Sequence, residues 1–244
     1  MSPGLSIFVS VLAVAILSMP VFALTSRGRK DADAERKGSR FLLGVGDFLI
    51  HWFMWAIGPV ERFLLKVGAT PNHMNAGGVV FGLLSGILIA LGHLEGGGWA
   101  IALAGVCDIL DGRLARVQQV ASPYGKFIDS TLDRFVETFA FLGFAVYFGG
   151  QTLGALLVTA GLGGSLLVSY AQARGETVGV SGSGGLMQRA ERLVLTILGC
   201  LLDPTVSRAM GWTEGTLLLW ILGLIAVGSM GTAIYRTVWI ARKL

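Results

Sequence analysis

The sequence predicts an all-α integral membrane protein with a six-helix transmembrane core, an interfacial helix before that core and one extra transmembrane helix at the N-terminus. Hydrophobic residues make up 53% of the 244 residues, charged residues make up only 14%, and the mean hydropathy is +0.70. Soluble domains contain about 25% charged residues. The apolar stretches are long enough to span a bilayer as helices, and they lack the period-2 alternation that is typical of outer-membrane strands.

The N-terminal segment, residues 1–40, is predicted to be a membrane anchor followed by a basic cytoplasmic linker. Its apolar run covers about residues 4–24 and precedes a group of cations, Arg27, Arg29, Lys30, Arg36, Lys37 and Arg40. Such cations mark the cytoplasmic end of a spanning helix. A cleaved signal peptide is the alternative, since Val21 and Ala23 resemble a cleavage site. However, a signal peptide carries its cations before the apolar run rather than after it.

Residues 41–244 are predicted to form the second unit of the chain. Its first part, residues 41–67, mixes aromatic and charged side chains and is expected to lie as a helix at the membrane interface. Six apolar segments follow, at residues 74–92, 97–118, 126–148, 152–174, 190–204 and 216–240. Gly78, Gly82 and Gly86 recur every four residues on the first of these segments, which predicts a face for close helix contact.

The positive charges predict how these helices are oriented, because short cytoplasmic loops collect Lys and Arg. With the interfacial helix on the cytoplasmic side, 18 of the 19 Lys and Arg residues fall at inner ends and loops, and Arg208 alone falls outside. We therefore expect an inner-membrane protein whose site faces the cytoplasm. No nucleic-acid partner is expected, since the sequence has no basic stripe with interleaved aromatic residues.

Four aspartates in the second and third core segments carry the predicted chemistry. Asp108 and Asp111 are three residues apart, and Asp129 and Asp133 are four apart, so each pair shares one face of a helix. The two pairs can face each other across a short turn. Carboxylates inside membrane helices repel one another and are stable only beside cations. Hard oxygen ligands suit Mg²⁺ or Mn²⁺, so we predict two divalent ions that also contact substrate phosphates.

Ion pairing is the structural alternative for these aspartates. Arg113, Arg116 and Arg134 occur close to them in the sequence and could neutralise them without a metal. Gly112 and Gly125 favour the metal site, because they leave space where a nucleotide could approach the backbone.

The aspartates and the small residues between them resemble the signature of the CDP-alcohol phosphotransferases at every fixed position. The matching pattern is Asp108-x2-Asp111-Gly112-x2-Ala115-Arg116-x8-Gly125-x3-Asp129-x3-Asp133. This resemblance covers roughly residues 41–240. It implies that the first three aspartates bind two metal ions, while Asp133 helps to bind one ion and acts as general base on the acceptor hydroxyl. It also implies that four further residues line the CDP site, namely Gly112, Ala115, Arg116 and Gly125.

Two segments around the connection between the fourth and fifth spans indicate which residues bind the acceptor molecule. They read Ser-Tyr-x-x-Ala-Arg-x-Glu and Glu-Arg-Leu, and they resemble segments of phosphatidylinositol phosphate and archaetidylinositol phosphate synthases in which cations bind the phosphate of inositol phosphate. Arginine suits bidentate phosphate contact, so Arg174, Arg189 and Arg192 are the implied acceptor residues. Ordinary inner-face cations are the alternative, with Glu191 paired to Arg174 or Arg192.

The function implied by the resemblance is phospholipid synthesis. A phosphatidyl group would move from CDP-diacylglycerol to the hydroxyl of a polar alcohol, an inositol phosphate, with release of CMP. Glycerol 3-phosphate, serine or free inositol are alternative acceptors, and the resemblance also makes a homodimer a candidate assembly. A divalent-cation transporter is the alternative from another class. It predicts acidic residues spread through the depth of the bilayer, whereas these four lie near one inner face.

Overall fold

The chain folds as a bundle of α-helices. In the computed structural model, residues 3–25, 45–180 and 184–244 are described, and these ranges contain eight helices and no strand. The helices are α1 (Pro3–Thr25), α2 (Val45–Lys66), α3 (Pro71–Ala90), α4 (Leu94–Val117), α5 (Pro123–Tyr147), α6 (Thr152–Thr177), α7 (Arg189–Ala209) and α8 (Thr216–Ala241). The predicted all-α class is confirmed. The basic linker and the predicted boundary after residue 40 lie outside the described residues.

The helices have the length and composition of a membrane protein. Within the described ranges, α1 from Ser6 onward, α3, α6 and α8 are long and apolar enough to cross a bilayer. Helices α4, α5 and α7 have comparable lengths of 24, 25 and 21 residues, but they carry the charged residues of the site. Outward-facing Leu17, Leu24 and Val227 are more than 70% exposed, as expected of side chains that contact lipid rather than water. The chain is an integral membrane protein.

Helix α3 lies at the centre of the site-bearing helices and packs closely against both α4 and α5. A Cβ atom added at Gly86 would lie 2.3 Å from the carbonyl oxygen of Phe139, and one added at Gly82 would lie 3.0 Å from the Cα of Val136. On α5, Gly143 faces the backbone of Gly86 in the same way. The close helix contact predicted for the glycine face is therefore confirmed, and it fixes the position of α5 relative to α3.

The fifth core helix is longer than predicted, because α7 continues through Pro204 to Ala209. Asp203 is fully buried there, and its carboxylate accepts hydrogen bonds from the amides of Gly215, at 2.6 Å, and Leu218, at 2.9 Å. These bonds satisfy the free amides at the start of α8. They also hold this turn of α7 against α8, which offsets the backbone hydrogen bond that the proline cannot donate.

The extra helix α1 runs beside the core from the beginning of α4 to α2. Near its start, the amide of Gly4 donates to the carboxylate of Glu95 at 3.1 Å. Near its end, the hydroxyl of Ser18 accepts from the indole N–H of Trp52 at 2.8 Å. Helix α2 in turn packs against α4. The N-terminal helix therefore braces the predicted interfacial helix, which adjoins the acidic part of α4.

The contact between α3 and α5 leads to a stability prediction. We expect Gly86→Ala to destabilise the protein by about 1–3 kcal/mol, because the new methyl group would overlap the backbone of Phe139. The matched control is Gly163→Ala on α6, where an added Cβ has no atom within 4 Å. The measurement is the unfolding transition of the detergent-solubilised protein. Equal transitions for the two variants would contradict the proposed close contact.

Candidate active site

The structure brings the acidic residues of α4 and α5 together. Asp108, Asp129 and Asp133 each contribute a carboxylate oxygen, and these oxygens all lie within 4.8 Å of one another. Asp111 is 5% exposed and lines the same cleft, which has a volume of about 270 Å³. All four predicted metal ligands therefore surround one space between neighbouring helices.

A short turn between α4 and α5 produces this arrangement. Gln119 adopts a left-handed backbone conformation, with φ at 57°, and reverses the chain direction. The side-chain amide of Gln118 donates to the carbonyl of Ala69 at 2.7 Å, which ties the turn to the connection between α2 and α3. Ser122 then caps α5 by accepting from the amide of Gly125 at 3.1 Å. These local bonds fix the start of α5, and Asp129 and Asp133 lie on the turns of the helix that follow.

Arg189 of α7 bridges the two acidic helices. Its guanidinium donates to Asp108 on α4 at 2.9 Å and also bonds to Asp133 on α5. Arg134 lies farther away, 3.8 Å from the other carboxylate oxygen of Asp133. Arg113 forms an ion pair of 2.5 Å with Glu61 of α2. Much of the positive charge that faces the aspartates therefore comes from α7, a helix distant from them in the sequence.

The donor set fits a divalent cation. Two oxygens bound to one Mg²⁺ at about 2.1 Å lie at most about 4.2 Å apart, so small side-chain movements bring the three clustered carboxylates within coordinating range. Carboxylate oxygens are hard ligands of the kind that Mg²⁺ and Mn²⁺ prefer. Four carboxylates around one bridging arginine also leave excess negative charge in a partly buried cleft, and a divalent ion would neutralise it.

A second cavity of about 410 Å³ adjoins the acidic cleft. The two spaces share Asp133, Val136 and Arg189, and the second space also has Glu137 and Arg192 in its wall. Its remaining lining residues are Ile101, Ala140, Phe141, Leu193 and Thr196. Asp133 and Arg189 therefore stand at the boundary between an acidic space and a mostly apolar one.

Arg192 is 2% exposed and is already paired. Its Nε and Nη2 atoms donate to the two carboxylate oxygens of Glu137 at 2.8 and 3.2 Å, and its Nη1 atom donates to the carbonyl of Met187 at 3.3 Å. Arg192 therefore pairs with Glu137 of α5 and not with Glu191, its neighbour in the sequence. This bidentate pair connects α5 to α7 beside the cleft.

The remaining predicted site residues lie in two places. Gly112, Ala115, Arg116 and Gly125 lie around the turn between α4 and α5, next to the aspartates in the chain but outside the lining of either cavity. The guanidinium of Arg116 lies over Gly112, where an added Cβ would be 3.3 Å from its Nη1 atom. Arg174 is exposed near the end of α6 and lines neither cavity.

Helix α3 contributes residues that the sequence analysis did not assign to the site. Met74, Asn75 and Gly78 line the acidic cleft. The signal was present in the sequence, since Asn75 lies one turn before Gly78 on the glycine face, and residues three apart share a helical face. A glycine face that meets a helix carrying aspartates also places its polar residues beside them.

The chain is similar in sequence to a known family and to several of its members. A family model described as CDP-alcohol phosphatidyltransferase matches residues 69–230. A phosphatidylinositol phosphate synthase from Streptomyces avermitilis is 32% identical over 198 residues, covering 79% of this chain and 80% of the relative. One from Mycobacteroides abscessus is 31% identical over 186 residues, covering 73% of this chain and 80% of the relative.

Solved structures of the Mycobacterium tuberculosis phosphatidylinositol phosphate synthase are similar in fold. The crystal structure with CDP-DAG bound has a TM-score of 0.64 and 28% sequence identity, and the match covers 74% of this chain and 92% of that one. The crystal structure in complex with manganese and citrate has a TM-score of 0.66 and 28% identity, covering 74% of this chain and 88% of that one.

The bridge formed by Arg189 leads to a metal-binding prediction. Arg189 and a divalent ion use the same carboxylates, so we expect Arg189→Gln to bind Mn²⁺ about tenfold more tightly, since each hydrogen bond to a charged group contributes about 1.5–3 kcal/mol. Electron paramagnetic resonance of free Mn²⁺ in a titration measures the affinity. Arg134→Gln, which removes the same charge at 3.8 Å from Asp133, is the control and should change the affinity less. Unchanged or weaker binding by Arg189→Gln would contradict the competition.

Proposed function

The chain belongs to the CDP-alcohol phosphatidyltransferase family, and we propose that it transfers a phosphatidyl group from CDP-diacylglycerol to the hydroxyl of an inositol phosphate and releases CMP. The observation that carries this proposal is the convergence of the four aspartates and Arg189 on one cleft. The similarity to several phosphatidylinositol phosphate synthases supports the choice of acceptor.

The aspartates would hold the metal ions and move the proton. In this proposal Asp108, Asp111 and Asp129 bind two ions, Mg²⁺ or Mn²⁺, and Asp133 contributes to one of them. When bound, such ions supply positive charge for the donor pyrophosphate and for the departing CMP. Asp133 lines both cavities and has a 14% exposed side chain, so it can reach groups on either side. We assign it the role of general base on the acceptor hydroxyl.

The bond changes follow from these roles. Asp133 removes the proton from the acceptor hydroxyl, and the resulting oxygen attacks the phosphorus of the phosphatidyl group. The bond from that phosphorus to the oxygen of CMP breaks as the new phosphodiester forms. The cytidine end of the donor is assigned to the turn between α4 and α5, where Gly112, Ala115, Arg116 and Gly125 lie. Gly112 has no side chain, which leaves space beside Asp111 for the guanidinium of Arg116.

The acceptor phosphate is assigned to the arginines of α6 and α7. Arg189 lines both cavities and stands next to Asp133, so an inositol phosphate whose phosphate is bound to Arg189 would present its ring hydroxyl groups to Asp133. Arg192 would add positive charge behind it, held in place by Glu137. Arg174 lies on the exposed end of α6 and would meet the phosphate as it arrives from water. Bidentate arginine contacts suit this anion.

The proposed location is the inner membrane, with the site at the cytoplasmic face. Four arginines lie near the helix ends beside the acidic cleft, namely Arg113, Arg116, Arg189 and Arg192. Such a concentration of arginine is typical of the cytoplasmic side. In this orientation α4, α5 and α7 cross the membrane with their charged ends inward. The lipid tails of the donor then remain in the bilayer while the polar acceptor comes from the cytoplasm.

The alternative acceptors differ in one chemical property. Glycerol 3-phosphate carries a phosphate, as inositol phosphate does, whereas serine and free inositol do not. The arginines therefore favour the two phosphorylated acceptors over the others. The metal-transporter alternative is not supported, because the chain belongs to a family of transferases and its four aspartates gather at one cleft. The homodimer stays a prediction.

The test of the proposed function is CMP release by the purified protein with Mg²⁺ and CDP-diacylglycerol. Each acceptor is supplied in turn, namely inositol phosphate, glycerol 3-phosphate, serine and inositol. We expect the largest kcat/KM with inositol phosphate, since it carries a phosphate for Arg189 and the similar proteins are phosphatidylinositol phosphate synthases. A larger kcat/KM with another acceptor would overturn the acceptor assignment. Absence of CMP with all four would overturn the proposed reaction.

The role assigned to Asp133 gives a separate prediction. We expect Asp133→Asn to lower kcat at least 100-fold, because the amide cannot accept the hydroxyl proton and general-base catalysis contributes about 10²–10⁴ in rate. CDP-diacylglycerol should still bind, as measured by equilibrium binding of the labelled donor. The control is Glu214→Gln, which neutralises an exposed carboxylate before α8. A kcat for Asp133→Asn within a few-fold of wild type would rule out this role.

A further inference from the structure

The last turn of α4 is bonded to the region before α3, most of which precedes the part of the chain that matches the family model. That match begins at residue 69, after the end of α2. The bonds come from Arg113 and Gln118, which lie between Gly112 and Gly125 at positions that the family signature leaves open. Two residues of the motif region therefore connect it to an N-terminal part of the chain outside the match.

Arg113 makes several contacts with α2. Its Nε atom donates to a carboxylate oxygen of Glu61 at 2.5 Å, and the two side chains are each 12% exposed. Its Nη1 atom lies 3.1 Å from the Sδ atom of Met54 and 3.5 Å from the Met54 carbonyl oxygen. Met54 and Glu61 are seven residues apart, so one guanidinium contacts α2 over about two helical turns.

The face of α2 that contains these partners is otherwise apolar. Met54, Ile57 and Glu61 are 3%, 6% and 9% exposed, and their spacing places them on one side of the helix. A carboxylate on such a face is costly to bury without a cation. Any other placement of α2 on α4 would leave both Glu61 and Arg113 without this pairing. The ion pair therefore selects one placement of the two helices.

Helix α1 holds α2 from another side. The indole N–H of Trp52 donates to Ser18 at 2.8 Å. The ring of Phe22 packs against the rings of Phe48 and Trp55, with centroids 5.5 and 5.8 Å apart. Aromatic pairs at these distances are attractive. Contacts with α1 and with α4 therefore both fix the position of α2.

The bonded stretch of α4 belongs to the proposed donor site. Residues 113–118 include Ala115 and Arg116, two of the residues assigned to the CDP group. Gln118, which follows the end of α4, donates from its side chain to the carbonyl of Ala69 at 2.7 Å. Helix ends open more easily than helix interiors. The bonds of Arg113 and Gln118 therefore keep this last turn in place.

We propose that Arg113, paired with Glu61, is a positioning residue that holds the last turn of α4 against α2 and so sets the donor end of the site. The attachment follows from the contacts described above, and its consequence for the donor rests on the proposed function. No bond changes at Arg113 during the reaction, because the side chain acts through the turn that it holds. The acceptor arginines are assigned to α6 and α7, so the effect should fall on the donor.

The first test measures backbone protection without turnover. In full-length protein in nanodiscs, Arg113→Gln should raise the amide hydrogen-exchange rates of residues 54–61 and 113–118 by about tenfold or more, since both segments would open locally more often. Glu61→Gln removes the same ion pair and should act alike. The control is Arg62→Gln, which neutralises the exposed neighbour of Glu61 and should leave exchange unchanged. Unchanged exchange in Arg113→Gln would overturn the positioning role.

The second test asks whether the donor end of the site is affected selectively. Equilibrium binding of labelled CDP-diacylglycerol should weaken about tenfold in Arg113→Gln, the size expected when hydrogen bonds to charged groups are lost. The KM for inositol phosphate should change much less. Arg113→Lys keeps the charge and should restore part of the donor affinity. Equal losses for donor and acceptor would indicate a merely structural residue and overturn the proposal.

A double variant tests whether Arg113 acts through Glu61. The variant with both Glu61→Gln and Arg113→Gln should bind the donor no more weakly than Arg113→Gln alone, because residues that form one contact have non-additive effects. Additive losses would contradict the pairing as the cause. If wild-type protein neither binds CDP-diacylglycerol nor releases CMP, the proposed function fails. The hydrogen-exchange measurement then decides the positioning role by itself.

Discussion

Carboxylates on two neighbouring helices repel one another, and partial burial leaves less water to weaken that repulsion. Asp108, Asp111, Asp129 and Asp133 share one cleft, so helices α4 and α5 stay together only if other forces hold them and if positive charge is available. The close backbone contact between α3 and α5 supplies part of the holding force. Arg189 supplies positive charge, and a divalent ion would supply more.

The charged residues around the cleft form ion pairs between different helices. Glu61 and Arg113 connect α2 to α4, Glu137 and Arg192 connect α5 to α7, and Arg189 connects α7 to both acidic helices. Removing one partner of a half-buried pair leaves the other charge poorly solvated, which costs several kcal/mol in a buried setting. Each pair therefore selects one relative placement of two helices, and together they position the helices that carry the aspartates.

The remainder of the bundle is stabilised by different interactions. An apolar cluster around Phe141, Phe144 and Phe148 contains residues from all six helices α3 to α8, and Asp203 caps α8 by accepting backbone hydrogen bonds. These contacts involve no pairing of opposite charges. The charged cleft and the apolar cluster serve different purposes. A site that binds phosphates needs charge and space, whereas dense apolar packing provides rigidity. The apolar cluster holds the ends of the helices that support the site.

The amino-acid sequence by itself determined the helical membrane class, the approximate helix bounds and the four aspartates as one group, because hydropathy, helical spacing and a short motif are local properties of the chain. Only the tertiary structure decided that Arg192 pairs with Glu137, that Arg189 bridges Asp108 and Asp133, and that Arg113 pairs with Glu61. The sequence spacing could not show these partners, since they depend on which faces of distant helices meet. Helix faces meet according to side-chain packing across the whole bundle, which no local pattern records.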